Sequence, residues 1–444
     1  MAEMHSNDWH SCSKLLSVMV CVLLVHLIIQ TNGPGRPQAH LVTKGQPHKP
    51  PPICDVSYIS GTVNALNSTS TPLELYHTAK RWLRPWSRHR HGSFGITTEQ
   101  VERLFETINK TDVGAVRFVV RNGRPKALPV RFPRSIHYQS RVSFWQSLLE
   151  RLAWRFGLPE NLDAVFWTED QPQIAAGINT VSLAPLFVSA TLPGFFDVPI
   201  PTTEYYSKLA KMDLHEVVAK KRWEERQARA IWRGSPTGGW FASYNWFTYP
   251  RSKLVNVSLH NPEIIDAKFL PCAWGQCADD VWPLIQEAFP EHTDDTHFTM
   301  EDYVQYKFVI SIDGNAWSSR FVDLLRTGCV IFKVASPYLE YFDSFLIPYR
   351  HYIPVATDSS DLLDKVRWAI DHDEEMKAIS IAVQEVFYRS IGNGVWEEYA
   401  SLMLEEYSKL LPPEPSNYIL EKYSERFRYD TEFSEHLRRL WEHE

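Results

Sequence analysis

Residues 303–334 read YVQYKFVISIDGNAWSSRFVDLLRTGCVIFKV, and this stretch decides the fold. Its two apolar runs, QYKFVISIDG and CVIFKVA, are rich in valine, isoleucine and phenylalanine and predict buried strands. The segment between them, WSSRFVDLLRTG, predicts a helix closed by Gly328. A strand, a helix and a second strand in this order are typical of a βαβ unit in a parallel sheet.

Neighbouring segments continue this alternation in both directions. Upstream, SFWQSLLERLAWRFG predicts a helix that ends on Gly157, and LDAVFWTED and QARAIWRG predict strands. Downstream come SPYLEYFDSFL, a helix with Ser336 as N-cap and Pro337 in its first position, the strand HYIPVA, and the capped helix DSSDLLDKVRWAIDH. The class is therefore α/β, in which ligands bind beyond the carboxyl ends of the strands.

Composition bounds the rest of the chain. Of its 444 residues 44% are hydrophobic and 13% aromatic, which excludes a largely disordered or collagen-like protein. The net charge of −7 gives no support to a nucleic-acid-binding surface. Six cysteines in 444 residues are too few for a disulfide scaffold.

The N-terminal region sets the expected compartment. Residues 15–29 form an apolar run without a small-residue cleavage pattern after it, which favours a signal anchor over 15–30 rather than a cleaved signal peptide. Residues 1–14 would then be a cytosolic tail and the proline-rich residues 31–53 a stem. These features predict a single-pass type II membrane protein of the Golgi or endoplasmic reticulum, or a secreted protein if the signal is cleaved.

Three N-x-[ST] sequons support a lumenal body, with acceptors at Asn67, Asn109 and Asn256. In such an oxidising lumen Cys272 and Cys277 could pair, although two free thiols are nearly as consistent with the sequence.

Two strand ends carry groups suited to an anion. Arg233 stands in a glycine-rich turn directly after the strand QARAIWRG, and Arg320 lies where a helix opens after QYKFVISIDG. An alternative for the second segment is structural, with Ser318 as an N-cap and Arg320 paired to Asp323. If both segments bind anions, they suggest a diphosphate held without a metal ion by Arg233, Gly234, Ser235, Gly314, Asn315, Ala316, Trp317, Ser318, Ser319 and Arg320.

These motifs resemble a known family. WEERQARAIWRGSPTG, the quoted 303–334 stretch and YRHYIPV, in that order, are similar to glycosyltransferase family 90, which contains Rumi-like protein O-glucosyltransferases and capsule-associated xylosyltransferases. The resemblance covers about residues 160–410 and implies two Rossmann-like domains facing a cleft (the GT-B arrangement), a UDP-sugar donor, and inverting transfer with no required metal or other cofactor. By the same resemblance Arg233 and Arg320 match diphosphate-contacting arginines, and residues 315–319 match the nucleotide-binding loop.

With this layout, residues 54–215 are expected to form the acceptor-side domain, residues 216–410 the nucleotide-sugar-binding domain, and residues 411–444 a charged helical tail. Asp170, at the end of LDAVFWTED, matches the family's catalytic base, whereas strand alternation directs Glu169 to the opposite face. Glu169 replaces an arginine and Gln171 an aromatic residue of the family pattern. The segment FFDVPIPTTEYY resembles the border of the acceptor site and contributes Asp197, Pro199 and Tyr205.

Other patterns favour structural roles. Asp371 and Asp373 form a D-x-D, but it ends an amphipathic helix rather than a strand. His292 and His297 lie in a polar linker, and the basic run 80–92 is typical of a solvated surface. Two functions therefore remain: transfer of xylose or glucose from a UDP-sugar to a hydroxyl of a glycan or protein, or a catalytically inactive lumenal carbohydrate-binding or chaperone-like protein on the same scaffold.

Overall fold

The computed structural model describes residues 71–87, 95–108, 114–128, 136–175, 182–201, 218, 221–273, 275–295, 298–392 and 394–413. All of them lie in one compact unit, residues 64–444. The expected tail, anchor and stem, together with Asn67, Asn109, Tyr205 and residues 414–444, lie outside the described residues. Within the described part of the chain no helix is both long and apolar enough to cross a membrane.

Ten helices and ten strands are described. The helices are α1 (Thr71–Leu83), α2 (Thr98–Ile108), α3 (Ile136–Arg155), α4 (Pro250–His260), α5 (Val281–Ala288), α6 (Met300–Tyr303), α7 (Phe321–Leu324), α8 (Leu362–Asp371), α9 (Asp373–Ser390) and α10 (Val395–Ser408). The strands are β1 (Ala115–Arg121), β2 (Arg124–Leu128), β3 (Asp163–Trp167), β4 (Leu186–Val188), β5 (Val198–Pro199), β6 (Gln227–Gly234), β7 (Ile265–Phe269), β8 (Tyr306–Ser311), β9 (Val330–Val334) and β10 (Ile353–Val355).

Strands β6 to β10 form an entirely parallel sheet in the order β10-β9-β8-β6-β7. The quoted stretch supplies two of its strands, β8 and β9, as its apolar runs predict. The connections from β6 run first to one neighbour, β7, and then back to the other, β8. This reversal leaves a crevice between the carboxyl ends of β6 and β8, the position where doubly wound sheets bind ligands.

Strands β1 to β5 form the second, mixed sheet in the order β2-β1-β3-β4-β5. β1 and β2 are an antiparallel hairpin whose turn, Asn122-Gly123, has positive φ at both residues, as a tight hairpin turn requires. β3 is antiparallel to β1 but parallel to β4, and β4 is parallel to β5. β3 therefore delivers its carboxyl end, and the Asp170 segment after it, to the same edge as the ends of β4 and β5.

Two apolar cores hold these sheets. One covers the mixed sheet and continues to the face of the parallel sheet that carries Ile231, Val309 and Ile331. The other covers the opposite face, with Trp232, Phe308 and Ile310. Because side chains alternate along a strand, the parallel sheet is buried on both faces, which explains its continuous apolar sequence. Helix α10 packs in the first core, where the Tyr407 hydroxyl donates to the Asp163 carbonyl at 2.7 Å.

Two predicted helices differ in the structure. The helix predicted over WSSRFVDLLRTG is shorter in the structure, where only α7 is α-helical and Arg320 directly precedes it. On both sides of α7 the backbone forms turns, because the amides of Phe321, Arg326 and Thr327 each bond to the carbonyl three residues before them. Gly328 ends this segment with φ of 67°. The prediction of a helix over SPYLEYFDSFL is wrong. Leu339 instead exchanges both of its backbone hydrogen bonds with Thr191, so it cannot make the helical ones.

Candidate functional site

The crevice between β6 and β8 is lined by backbone and two guanidinium groups. Gly314 lies just beyond β8, and a Cβ added there would be 3.0 Å from the Thr237 hydroxyl and 3.1 Å from Nη2 of Arg251. Gly238 approaches from the β6 side, where an added Cβ would lie 3.3 Å from the Gly314 carbonyl oxygen. Glycine at both positions therefore allows the two loops to approach closely.

Arg251, in the first turn of α4, bridges the two strand ends. Its guanidinium donates to the carbonyl oxygens of Asp313 at 2.9 Å and Ser235 at 2.7 Å. Within the described residues no carboxylate lies within ion-pair distance of it. Burial, followed by the positive charge of Arg320, lowers the pKa of Arg251 to about 9. A cation in this position is poorly compensated, so an anion in the crevice would stabilise it.

Arg320 is the second guanidinium of the crevice. It donates to the Arg233 carbonyl oxygen and, at 3.0 Å, to the Tyr303 hydroxyl. The ion pair that the structure gives Asp323 is with Arg326, at 3.7 Å, so the alternative in which Asp323 neutralises Arg320 is not found. Ser318 likewise does not cap α7, whose N-cap is Arg320 itself.

Arg233 has a different environment. Its side chain is 4% exposed and forms ion pairs with Asp266 at 3.1 Å and Asp294 at 3.3 Å. The guanidinium also lies 4.5 Å from the centre of the Phe298 ring. Two carboxylates thus already neutralise this cation. A direct contact of Arg233 with a diphosphate remains a prediction, and the geometry favours Arg251 and Arg320 for that role.

The remaining residues of the predicted nucleotide loop surround Gly314. The Asn315 side-chain oxygen accepts from the Gly238 amide at 3.0 Å, which ties the β8 loop to the β6 loop. Ala316 is buried, and the buried Trp317 Nε1 has no hydrogen-bond partner among the described residues. The others are placed as follows: Ser318 and Ser319 are half-buried, Gly234 is buried at the end of β6, and Ser235 is half-buried just after it.

Asp170 follows β3, and its side chain is 37% exposed. Arg141 of α3 donates to its Oδ1 at 3.0 Å. One helical turn later, Trp145 Nε1 donates to the Trp167 carbonyl oxygen at 3.1 Å. Since residues four apart lie on one helix face, α3 fixes both the end of β3 and the carboxylate beyond it.

Asp197 is a buried residue whose carboxylate fixes the backbone of the loop after Asp170. It is fully buried, and its two oxygens accept from the Gln173 amide at 3.0 Å and the Ile174 amide at 2.9 Å. Burial raises the pKa of Asp197 to about 6. In this position Asp197 shapes the Asp170 loop rather than facing solvent, and Pro199 is buried in β5 beside it.

The Asp170 loop contacts the nucleotide loop directly. Gln171, next to Asp170, donates from Nε2 to the Asn315 carbonyl oxygen at 2.8 Å. Tyr338, from the loop after β9, donates its hydroxyl to Gln171 Oε1 at 2.9 Å. Burial raises the pKa of Tyr338, and the charges of Asp313 and Asp170 act in the same direction. The structure therefore brings the predicted base and the predicted nucleotide loop to one site.

Asp313 lies at the base of this site. Burial raises the pKa of its carboxyl group to about 6, although Ser336, Lys333 and Arg251 act against the shift. Its Oδ2 is buried without a hydrogen-bond partner among the described residues.

The structure also places the secondary motifs. Asp371 ends α8 and Asp373 begins α9, where it pairs with Lys307 at 2.7 Å, which confirms the helix-end interpretation of the D-x-D. No three His, Cys, Asp or Glu side chains of the described ranges are grouped to hold a metal ion.

Cys272 and Cys277 form a disulfide with Cα atoms 6.0 Å apart. Asn256 is exposed on α4.

Three residues of the site escaped the sequence interpretation: Arg141, Arg251 and Tyr338. A usable signal existed for Arg251, since a cation in the first turn of a helix is disfavoured by the helix dipole and needs compensation. No local signal marks Arg141 or Tyr338, because their partners Asp170 and Gln171 lie 29 and 167 positions away.

Comparison with known proteins supports the resemblance found in the motifs. The model of the family described as glycosyl transferase family 90 matches residues 69–425. The chain is similar to protein O-glucosyltransferase 2 of Danio rerio, with 32% identity over 44% of this chain and 35% of that protein. It is also 27% identical to an O-glucosyltransferase rumi homolog of Aedes aegypti, over 57% of this chain and 62% of the relative.

A third relative is human protein O-glucosyltransferase 3, which is 30% identical over 36% of this chain and 27% of its own length. The chain thus spans between 27% and 62% of the length of these relatives. Because the family model matches most of the chain, the chain belongs to this family.

Proposed function

We infer that this chain, which belongs to glycosyltransferase family 90, transfers glucose or xylose from a UDP-sugar to a hydroxyl group of a protein or glycan. The observation that carries the proposal is the pair of guanidinium groups at the switch point of the parallel sheet. Burial and the nearby charge of Arg320 lower the pKa of Arg251, and the described partners of the two guanidinium groups are carbonyl oxygens and one hydroxyl. A diphosphate supplies the missing negative charge and matches the fork of a guanidinium.

Asp170 is the proposed general base. The acceptor oxygen attacks the anomeric carbon as the bond from that carbon to the diphosphate oxygen breaks, and the sugar is transferred with inversion. UDP leaves with the bonding electron pair, and Asp170 takes the proton of the acceptor hydroxyl. The contact between Gln171 and Asn315 supports this assignment because it keeps the carboxylate loop beside the nucleotide loop.

In this proposal the leaving diphosphate is stabilised by Arg251 and Arg320, so that no metal ion is required. The donor would lie in the crevice after β6 and β8. The acceptor would approach from the mixed sheet, with the two sheets acting as the two halves of a GT-B enzyme. Trp240 is exposed and lies two residues after Gly238, so its ring is available to stack on the sugar in this proposal.

We place the enzyme in the lumen of the secretory pathway. The Cys272–Cys277 disulfide supports this location, because such bonds persist in oxidising compartments. Exposed Asn256 supports it as a glycosylation acceptor. Membrane attachment through residues 15–30 is part of the same proposal.

The decisive experiment measures UDP release from UDP-glucose, UDP-xylose and UDP-galactose by the purified chain from residue 54 onward, alongside calorimetric binding of UDP. We expect UDP to bind and one donor to be turned over. If UDP does not bind, or if it binds while no donor is turned over with any hydroxyl acceptor, the proposal is wrong. The second of these outcomes would favour the inactive carbohydrate-binding scaffold.

A further inference from the structure

Asn315 connects three strand-end loops. Its carbonyl oxygen accepts from Gln171 at 2.8 Å and lies 3.4 Å from the Tyr338 hydroxyl. Its side-chain oxygen accepts from the Gly238 amide at 3.0 Å. The loops after β3, β6 and β9 therefore meet at a single residue of the β8 loop.

Both residues of the Gln171–Asn315 hydrogen bond are sequence neighbours of residues in the proposed site. Gln171 is bonded in sequence to Asp170, the proposed base. Asn315 is bonded to Gly314, which lies against Arg251. The hydrogen bond from Gln171 to Asn315 therefore links the Asp170 loop to the nucleotide loop.

Stability does not account for this arrangement. Gln171 and Asn315 are both exposed, so water could satisfy their polar groups without any direct bond. A solvent-accessible hydrogen bond of this kind contributes only about 0.5–1.5 kcal/mol to folding. Its consequence lies in geometry, because the Gln171 side chain joins two loops that are 144 residues apart in the sequence.

We propose that Gln171 and Tyr338 are positioning residues that lock the Asp170 loop onto the nucleotide loop, so that donor binding orders the catalytic carboxylate. This inference rests on the proposed function. It gives a physical role to the glutamine that replaces an aromatic residue of the family pattern. Tyr338 acts through Gln171, whose amide it orients by donating to Oε1.

The first test uses hydrogen exchange and UDP alone. In the wild-type chain we expect UDP to slow amide exchange in residues 314–320 and also in residues 169–175. In Gln171→Ala the protection of 314–320 should remain while that of 169–175 is lost. Protection of 314–320 with no change at 169–175 in the wild type would overturn the inference, whereas no protection at either loop would overturn the proposed function.

The second test measures UDP release from the donor that the wild type turns over, with water as the acceptor. Gln171→Ala and Tyr338→Phe should lower kcat by about 10- to 100-fold, as misplaced catalytic groups do, and should lower UDP affinity by a much smaller factor, since the coupling between the two loops is reciprocal. The matched control is Gln173→Ala, since among the described residues the Gln173 side-chain amide donates only to backbone carbonyls of its own loop, and the variant keeps the backbone N–H that Asp197 accepts. Equal losses in the control and in Gln171→Ala, or a loss of UDP affinity instead of kcat, would overturn the inference.

Discussion

The two sheets present opposite charges at the edges where they meet. The mixed sheet presents the carboxylate of Asp170, which accepts from the guanidinium of Arg141 in α3. The parallel sheet presents Arg251 and Arg320, whose described partners are uncharged oxygens. The difference in charge is the basis of the proposed roles, in which the mixed-sheet edge accepts a proton and the parallel-sheet edge holds a diphosphate.

A second contrast lies within the parallel sheet. Arg233 and Arg251 are both held at the end of β6, but Arg233 lies between two carboxylates and Arg251 between carbonyl oxygens. Arg233 is therefore neutralised within the fold, whereas Arg251 has no carboxylate within ion-pair distance among the described residues.

The largest effect is expected at the mixed-sheet edge. Asp170→Asn removes the proposed base while keeping the shape of the side chain, and it should reduce donor turnover by about 10²- to 10⁴-fold. UDP affinity should not change, because the diphosphate contacts lie on the other sheet. Steady-state UDP release and calorimetric UDP titration measure the two quantities.

Glu169→Gln provides the matched control, since it neutralises the adjacent carboxylate and should leave turnover near the wild-type level. If both variants lose turnover equally, or if Asp170→Asn loses UDP affinity, the division between the two edges fails.

Arg233→Ala should destabilise the fold. It removes the guanidinium that lies between Asp266 and Asp294, and breaking a buried ion pair from one side typically costs about 3–5 kcal/mol. The more distant Arg229, 3.9 Å from Asp266, offsets only part of this loss. Urea unfolding followed by tryptophan fluorescence gives the free energy of unfolding. A stable Arg233→Ala variant that has lost UDP affinity would reverse the contrast and return Arg233 to the diphosphate site.

The free energy of unfolding should depend on pH through Asp197, which holds the Asp170 loop at the mixed-sheet edge. Burial raises the pKa of Asp197 to about 6, from an ordinary value of 3.8. The folded state therefore binds a proton more readily than the unfolded state between these values, and this group stabilises the fold as pH falls from about 6.5 to 4. A shift of about 2 pH units corresponds to at most about 3 kcal/mol.

Wild type and Asp197→Asn are compared by urea unfolding at several pH values. The difference in unfolding free energy should move in favour of the wild type as pH falls through 6. A difference that stays constant from pH 7 to 4 would mean that Asp197 is not desolvated as described.

Arg251→Ala and Arg320→Ala should weaken UDP binding. Each charged hydrogen bond contributes about 1.5–3 kcal/mol, so affinity should fall by about 10- to 100-fold in each variant. Arg367→Ala, on the exposed surface of α8, is the control for general loss of positive charge. If Arg251→Ala binds UDP as well as this control does, the crevice does not hold the diphosphate.

The sequence predicts the parallel sheet well and its loops poorly, for a physical reason. β6, β8, β9 and β10 are short apolar runs whose burial on both faces leaves a local pattern. The segment SPYLEYFDSFL also has apolar residues at helical spacing, yet Leu339 pairs with Thr191, a partner that no local pattern reveals. Tertiary hydrogen bonding therefore overrides local propensity at this point.

The same reason limits prediction of the site. Asp170 and Gly314 follow recognisable strands, so their position at a carboxyl edge can be inferred from sequence. Which arginine is neutralised depends on Asp266 and Asp294, which lie 33 and 61 residues beyond Arg233. Charge compensation is thus a property of the packed structure, and the local sequence does not distinguish Arg233 from Arg251.

The smallest effect is expected on removal of divalent metal ions. If Arg251 and Arg320 stabilise the leaving diphosphate, incubation with EDTA should leave donor turnover unchanged, and added Mn²⁺ should not raise it. The D-x-D offers no competing site at this edge, because Asp373 pairs with Lys307 at the junction of α8 and α9. Complete loss of turnover with EDTA, restored by Mn²⁺, would show that two guanidinium groups do not suffice for the leaving group. Arg251 and Arg320 would then contribute to donor binding, and a metal ion would stabilise the leaving diphosphate.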